Sequence, residues 1–323
     1  MVSPTMMNLV RFTACILALA LVSGAASPAL GQAALIPVKV ASTPDDTFVA
    51  VFYAQRTGMF RQAGLDVQLE PSGTSGAAIA AGVASGAYDI GKSSLTSILA
   101  AHLRNIPFTL IAPGTLYDPK TPYGLLIVAK DSPIKSAKDL NGQTVAVAAL
   151  NSLDQAAILA WMDQNGGDGK TLKFIELPQS EDGPALAQHR IAASLTIRPQ
   201  LDQALASGQA RALAPAFSAI SRNYLVSAWF TTTEYAGKHP DVIAKFRRIV
   251  EQSAAYGNRH HDVTAPLLSE VSKIPLSVIT SMERGVLGTQ LTPALVQPVI
   301  DVSAKYNTLS RAFPASEVIW SGS

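Results

Sequence analysis

The sequence predicts an α/β protein of two lobes, and three observations carry that prediction. Residues 38–76 read as strand, helix and strand in one short stretch, a βαβ unit. The same alternation resumes at residue 124, beyond a proline-rich connector at 117–123 (YDPKTPY). In both runs, strands end in loops of Ser, Thr, Asp or Asn placed directly before a helix. Open α/β sheets bind ligands beyond the carboxyl ends of their strands, so these loops are expected to face one site.

Taken in order, VKVA at 38–41 alternates as a strand and stops at the turn-rich STPDD. Residues 48–60 (FVAVFYAQRTGMF) carry apolar side chains at helical spacing, with stops near Gly58 and Gly64. LDVQLE at 65–70 alternates again and breaks at PSGTSG, after which 76–85 form a small-residue helix. A short strand at 86–90, the junction GKSS, a helix at 95–103 and a buried strand at 107–113 complete the first run. In the second run, strands are expected at 124–130, 144–150, 172–177 and 191–197, with helices at 155–167 (QAAILAWMDQNGG, stopped by its glycines), 184–190 and 201–209. An extended stretch, YLVSAWFTT, follows at 224–232, and helical patterns fill 239–256, 263–271, 276–282 and 293–306. The connector at 117–123 and the stretch at 224–232 are the two expected crossovers. They divide the chain into lobe I (34–122 and 222–323) and lobe II (123–221).

Residues 1–33 are set apart from this fold. Arg11 precedes an apolar run at 12–22 and a small-residue segment, SGAASPALGQA. Charge, apolar core and small residues in that order read as a secretory signal peptide, with cleavage after Gly31 or Ala33, and the run is too short to span a bilayer. The single cysteine of the sequence, Cys15, lies inside this segment, so disulfides, thiolate metal sites and a cysteine nucleophile are not expected in the exported chain. The 323-residue chain is 48% apolar and 15% charged, which excludes disorder. A formal net charge of +2 makes no electrostatic case for nucleic acid.

The candidate binding residues come from the polar junctions. They are Asp46 with Phe48, Ser72 with Thr74 and Ser75, Ser93 with Ser94, Asn151 with Ser152, and Arg198 at the end of a strand. Helix N-termini attract anions because their first N–H groups lack partners and the helix dipole is positive there. Each loop also has a plainer use, capping the helix that follows. One of Asp45 and Asp46 is expected to serve as such a cap, the other to meet a ligand amine. Tyr123 and Trp229 lie beside the crossovers and, with Phe48, are the aromatic residues expected at the cleft. The pair His260–His261 diverges on a helix and makes a poor chelate, and no metal or cofactor is expected. Without a G-x-S-x-G or phosphate-loop motif, catalysis has no evident starting point.

The string FYAQRTGMFRQAGLDVQLEPSGTSG at 52–76, with ASGAYDIG at 84–91, LIVAKDSPIKSAKDLNGQTVAV at 126–147 and HPDVIAKF at 239–246, resembles substrate-binding proteins of ABC importers in the nitrate/sulfonate/taurine group, also called the thiamine-precursor-synthase-like group. The resemblance extends over most of the chain beyond residue 33. It implies a type II periplasmic binding protein fold, two α/β lobes joined by a two-segment hinge that close on a small ligand. It also implies a monomer in the periplasm that delivers its ligand to an ABC permease in the inner membrane. The sequence departs from the family at HRIAASLTIRP, where Ala192 or Ala193 replaces an acid and Arg198 stands where Glu is common. A guanidinium grips carboxylate or sulfonate through paired hydrogen bonds, so Arg198 is expected either to clamp an anionic ligand or to pair with Asp202 one helical turn on. The expected function is capture of a small organic anion, sulfonate or carboxylate, in the interlobe cleft. The alternatives are a pyrimidine thiamine precursor, nitrate, a sensory rather than a transport role, and a biosynthetic enzyme of the same fold.

Overall fold

The computed structural model describes residues 34–71 and 76–322. The expected signal peptide and the candidate residues Ser72, Thr74 and Ser75 lie outside the described residues.

β1 (Ile36–Ser42) opens the fold, and the loop after it shows how local sequence sets an element. Asp45 is extended, and its carboxylate accepts from Thr47 N (3.0 Å) and Phe48 N (3.1 Å), capping α1 (Asp46–Arg56). Gly58, at φ +76°, separates α1 from α2 (Met59–Gln62) at the first of the two expected stops, because only a residue without Cβ adopts that conformation freely. β2 (Leu65–Pro71), α3 (Gly76–Ala84), β3 (Ile90–Ser94), α4 (Leu95–Leu103) and β4 (Phe108–Pro113) follow. The chain then leaves this sheet through β5 (Thr115–Tyr117).

The second run comprises β6 (Gly124–Ala129), β7 (Thr144–Val147), α5 (Leu153–Gln164), β8 (Lys173–Glu176), α6 (Asp182–Ala187), β9 (Ala193–Ile197), α7 (Gln200–Ala206) and β10 (Ala210–Ala214). The return passes through β11 (Tyr224–Leu225) into β12 (Ser227–Thr232). It continues as α8 (Thr233–Lys238), α9 (Pro240–Gly257), α10 (His261–Ser272), α11 (Leu276–Ser281), β13 (Val286–Leu287) and α12 (Pro293–Lys305). The stretch at 224–232, expected as one extended segment, is thus two strands in two different sheets. The strands β5, β10 and β13 were not legible in the sequence, being short or polar.

The two five-stranded sheets share one topology, in the orders β2-β1-β3-β12-β4 and β8-β7-β9-β6-β10. In the first, β1 is parallel to β2, in register from Ile36 opposite Leu65 to Ser42 opposite Pro71, and parallel to β3, while β12 runs antiparallel to β3 and β4. In the second, β7 is parallel to β8 and β9, while β6 runs antiparallel to β9 and β10. Each sheet therefore receives its antiparallel strand from the segment that crosses over from the other. The crossing segments also pair with each other: β5 and β11 are antiparallel neighbours, Tyr224 opposite Tyr117, in a small sheet completed by β13.

The first sheet is covered on both faces. Phe48 and Phe246 pack with Val38, Val40 and Trp229 on one side, and Ile79, Leu95 and Leu99 pack with Phe108 and Phe230 on the other. Neighbouring strand residues point to opposite faces, which sends Trp229 and Phe230 into different cores. Full burial of one such aromatic side chain contributes about 1.5–3 kcal/mol. The amphipathic α9 closes the Trp229 side with Val242, Ile243, Phe246, Ile249 and Val250, a 3–4 residue spacing that the sequence pattern shows directly. The mixed α/β architecture predicted from sequence is therefore borne out.

Candidate functional site

A cavity of about 520 Å³ opens where the ends of both large sheets meet. From the first sheet it is lined by Asp45 and Asp46 after β1, by Gly76 and Ala77 at the start of α3, and by Lys92, Ser93, Ser94 and Ser97 at the junction of β3 and α4. From the second it is lined by Tyr123, Ile197 and Arg198. Met282, Glu283 and Gly285, in the segment between α11 and β13, complete the wall. β1 and β3 flank the point where strand order reverses, the place where loops diverge and leave a crevice.

The β3–α4 junction is rich in hydrogen-bond donors. Lys92 is a charged residue in a buried strand, 3% exposed, and its ammonium is paired with the Asp45 carboxylate. That carboxylate is already shared with the N-terminus of α1 and with Thr43 Oγ1 (3.1 Å). Ser94 caps α4, accepting from Ser97 N at 3.3 Å. Ser93 is also 3% exposed, and its hydroxyl has no hydrogen-bond partner. A buried polar atom left unpaired costs about 1–3 kcal/mol, which sets this hydroxyl apart from the paired groups around it. The hydroxyl faces Gly76, where any Cβ would collide with it, and this lets the first turn of α3 approach closely.

The second sheet contributes differently. Arg198 follows β9, and its backbone N donates to Tyr123 O (2.9 Å). Its guanidinium is ion-paired through Nη1 with Asp202, donates through Nη2 to Glu283 Oε2 (2.5 Å), and reaches Pro122 O through Nε (3.4 Å). The pairing with Asp202, one of the two expected uses, is present together with an unexpected second carboxylate. Tyr123 stacks on Phe217 (4.8 Å between centroids), and burial, then Asp154 and Tyr117, raise its phenol well above the ordinary value. Behind it lie two carboxylates. Asp154 is pushed up to about 7 by burial and by Asp182. Asp182 is pushed up to about 6 by burial, against the opposing hydrogen bonds from Thr196 (2.7 Å) and Ser194. Desolvation disfavours the charged form, and two acids near one another disfavour it further.

Of the residues singled out from sequence, Asp46, Ser93, Ser94, Tyr123 and Arg198 come together on this cavity. Asp46 does so with its carboxylate already held by Arg284 Nε (2.5 Å) and Gly285 N (3.0 Å). Phe48 and Trp229, expected at the cleft, lie elsewhere. Phe48 stacks on Phe52 in the core, and Trp229 meets Phe246 edge-on at 5.6 Å with no exposed surface. The reason is directional: one sits on the core face of α1, the other on the α9 face of β12. Asn151 and Ser152 do not line the cavity. Ser152 caps α5, and Asn151 adopts φ +57° with its N–H donating to Gln155 Oε1 (2.9 Å). His260 stacks on Tyr256 at 4.1 Å, and no group of three or more His, Cys, Asp or Glu among the described residues is arranged to hold a metal. Lys92 and Glu283 were missed. A lysine inside the otherwise apolar or small strand end YDIGKSS was a readable signal, whereas nothing near Glu283 marks it as a cavity residue.

No described helix is long and apolar enough to cross a membrane. The family model described as NMT1/THI5 like matches residues 46–262, more than half of the chain. No curated protein matches the sequence. The fold is similar to the crystal structure of the periplasmic aliphatic sulphonate binding protein SsuA from Escherichia coli, with TM-score 0.72, 18% identity, and 88% of this chain and 92% of that chain covered. It is similar also to the alkanesulfonate-binding protein SsuA from Xanthomonas axonopodis pv. citri, solved bound to MOPS, with TM-score 0.67, 16% identity and coverage of 89% and 99%. A desulfurization enzyme, DSZB, shares the fold at TM-score 0.62 and 13% identity, covering 88% and 96%. At these identities the structures show a periplasmic binding protein fold, and the family match shows the lineage. The chain belongs to the NMT1/THI5-like family.

Proposed function

We propose that this protein is the periplasmic solute-binding component of an ABC importer and that it captures a small organic anion, a sulfonate or a carboxylate, in the cavity between its two sheets. The observation that carries the reading is the junction of β3 and α4. A buried ammonium, an unpartnered buried hydroxyl and the N-termini of α3 and α4 converge there on one cavity wall. Donors and helix dipoles fixed in place stabilise an anion without reorganising. The apolar part of the ligand meets Ile197, Val226, Met282 and the ring of Tyr123. Two of the similar structures are sulfonate-binding proteins, which supports the acid class over a neutral pyrimidine.

In this reading lobe I (34–122 and 222–323) and lobe II (123–221) move about the paired crossovers β5 and β11 and exclude water from the ligand. Residues 1–33 direct export, and the closed monomer meets an inner-membrane permease. The lobes bind and do not transform the ligand. A thermal-shift screen of alkanesulfonates, aromatic carboxylates, pyrimidines and nitrate tests this, because a ligand stabilises the folded state by mass action. Stabilisation by an acid, followed by micromolar affinity in calorimetry (about −8 kcal/mol), is the expected result. Stabilisation by a pyrimidine alone, or turnover of any compound in the screen, would overturn it.

A further inference from the structure

The segment 282–285 runs along the cavity between α11 and β13 and is tied to both halves of the protein. On one side, Arg284, 7% exposed in its side chain, is ion-paired with Asp46 at the start of α1, and Gly285 N donates to the same carboxylate at 3.0 Å. On the other side, Glu283 accepts from Arg198 Nη2 at 2.5 Å, at the end of β9 in the second sheet. The first attachment is buried, whereas Glu283 is 37% exposed and its carboxylate has water to return to. Arg198 keeps Asp202 on Nη1 and Pro122 O on Nε whatever Glu283 does. The N–H groups that Glu283 takes are therefore the part of the guanidinium that a ligand is able to claim, and both residues line the cavity.

We propose that Glu283 is a specificity-determining residue, a resident carboxylate that holds Arg198 Nη2 and is displaced from it by the acid group of the ligand. The inference rests on the reading that the cavity takes an organic acid. A carboxylate or sulfonate replaces Glu283 with one negative charge exchanged for another, so Nη2 again donates a charge-assisted hydrogen bond to an anion. A neutral ligand leaves Arg198 with Glu283 and gains nothing from it. Glu283 thereby lowers affinity for every acid by the strength of its own contact and rejects those whose acid group does not reach Nη2. The anchored Arg284 keeps the displaced side chain at the cavity mouth rather than releasing the segment.

Calorimetry with the acid that gives the largest thermal shift, on the wild type, Glu283→Gln, Arg198→Ala and the double variant, tests this. The expected result is about tenfold tighter binding by Glu283→Gln, weaker binding by Arg198→Ala, and no effect of Glu283→Gln once Arg198 is gone, a coupling that a merely structural role would not produce. Glu283→Ala is expected to match Glu283→Gln, and unchanged melting curves confirm that each variant is folded. Acid binding by the wild type that Glu283→Gln leaves unchanged or weakens would overturn the proposal while the proposed function stands. No acid bound by the wild type or by Glu283→Gln would overturn both.

Discussion

The two large sheets have the same strand order and the same parallel and antiparallel pairings, yet their cavity-facing ends differ in chemistry. The first ends in Lys92, Ser93 and the opening turns of α3 and α4, with a hydroxyl left unpaired. The second ends in Arg198, already held by Asp202 and Glu283, and in Tyr123, with a half-buried Asp154 near Tyr123 and coupled to a buried Asp182. Topology places a polar junction at the carboxyl end of each sheet. Side-chain chemistry then leaves one junction with an unpaired Ser93 hydroxyl beside the Lys92–Asp45 pair, and makes the other a self-satisfied ionic network. Binding strength is expected from the first and selection from the second.

That contrast can be broken most sharply at Lys92. Lys92→Ala removes the buried ammonium and is expected to weaken acid binding by about 10–100-fold, the range of a charge-assisted hydrogen bond, as read by calorimetry. An effect smaller than that of Arg198→Ala would invert the assignment of the two sheets. Arg198→Ala itself should reduce anion affinity about tenfold, and unchanged binding would remove Arg198 from the site. Ser93→Ala, which deletes an atom without a protein partner, should cost acid binding about fivefold while leaving the unliganded protein as stable or more so. A fall in melting temperature without ligand would show that the hydroxyl has a structural role.

The smallest effect on binding, and a measurable one on stability, is expected beneath the second sheet's end. Asp154 titrates at about 7 in the folded protein, above its ordinary value of 3.8. Below pH 3.8 it is neutral in both folded and unfolded chains and contributes no penalty. Between pH 3.8 and about 7 the unfolded chain has released this proton while the folded state still holds it, so stability is lost across that window and the penalty is constant above it. Asp154→Asn should therefore melt a few degrees higher than the wild type at pH 8, on a scale of about 2–4 °C per kcal/mol, with little difference at pH 4. An equal gain at both pH values would exclude the titration as its cause.

Much of the architecture was legible because its signals are local. The strand at 38–41, the amphipathic α9 and the Gly58 break each follow from a few neighbouring side chains. The strands β5 and β13 were not legible, since two or three residues carry no period and their partners lie about 170 positions apart, and β10, ARALA, has no β-branched or aromatic residue to mark it. The site divides in the same way. Ser93 and Ser94 stand at a strand-to-helix junction that hydroxyl content marks, whereas Phe48 and Trp229 were misplaced because proximity to a loop says nothing about which face a side chain takes.

What the sequence determined by itself is the longer elements, their alternation and the polar character of the junctions, all set by hydrophobic period, caps and turn residues within a few positions. Tertiary structure alone decided which of those junctions stays unsatisfied. The pairing of Lys92 with Asp45, of Asp46 with Arg284, and of Arg198 with Glu283 joins residues 47, 238 and 85 positions apart. Whether a charge is available to a ligand depends on which carboxylate the fold brings beside it, and no local pattern encodes that distance.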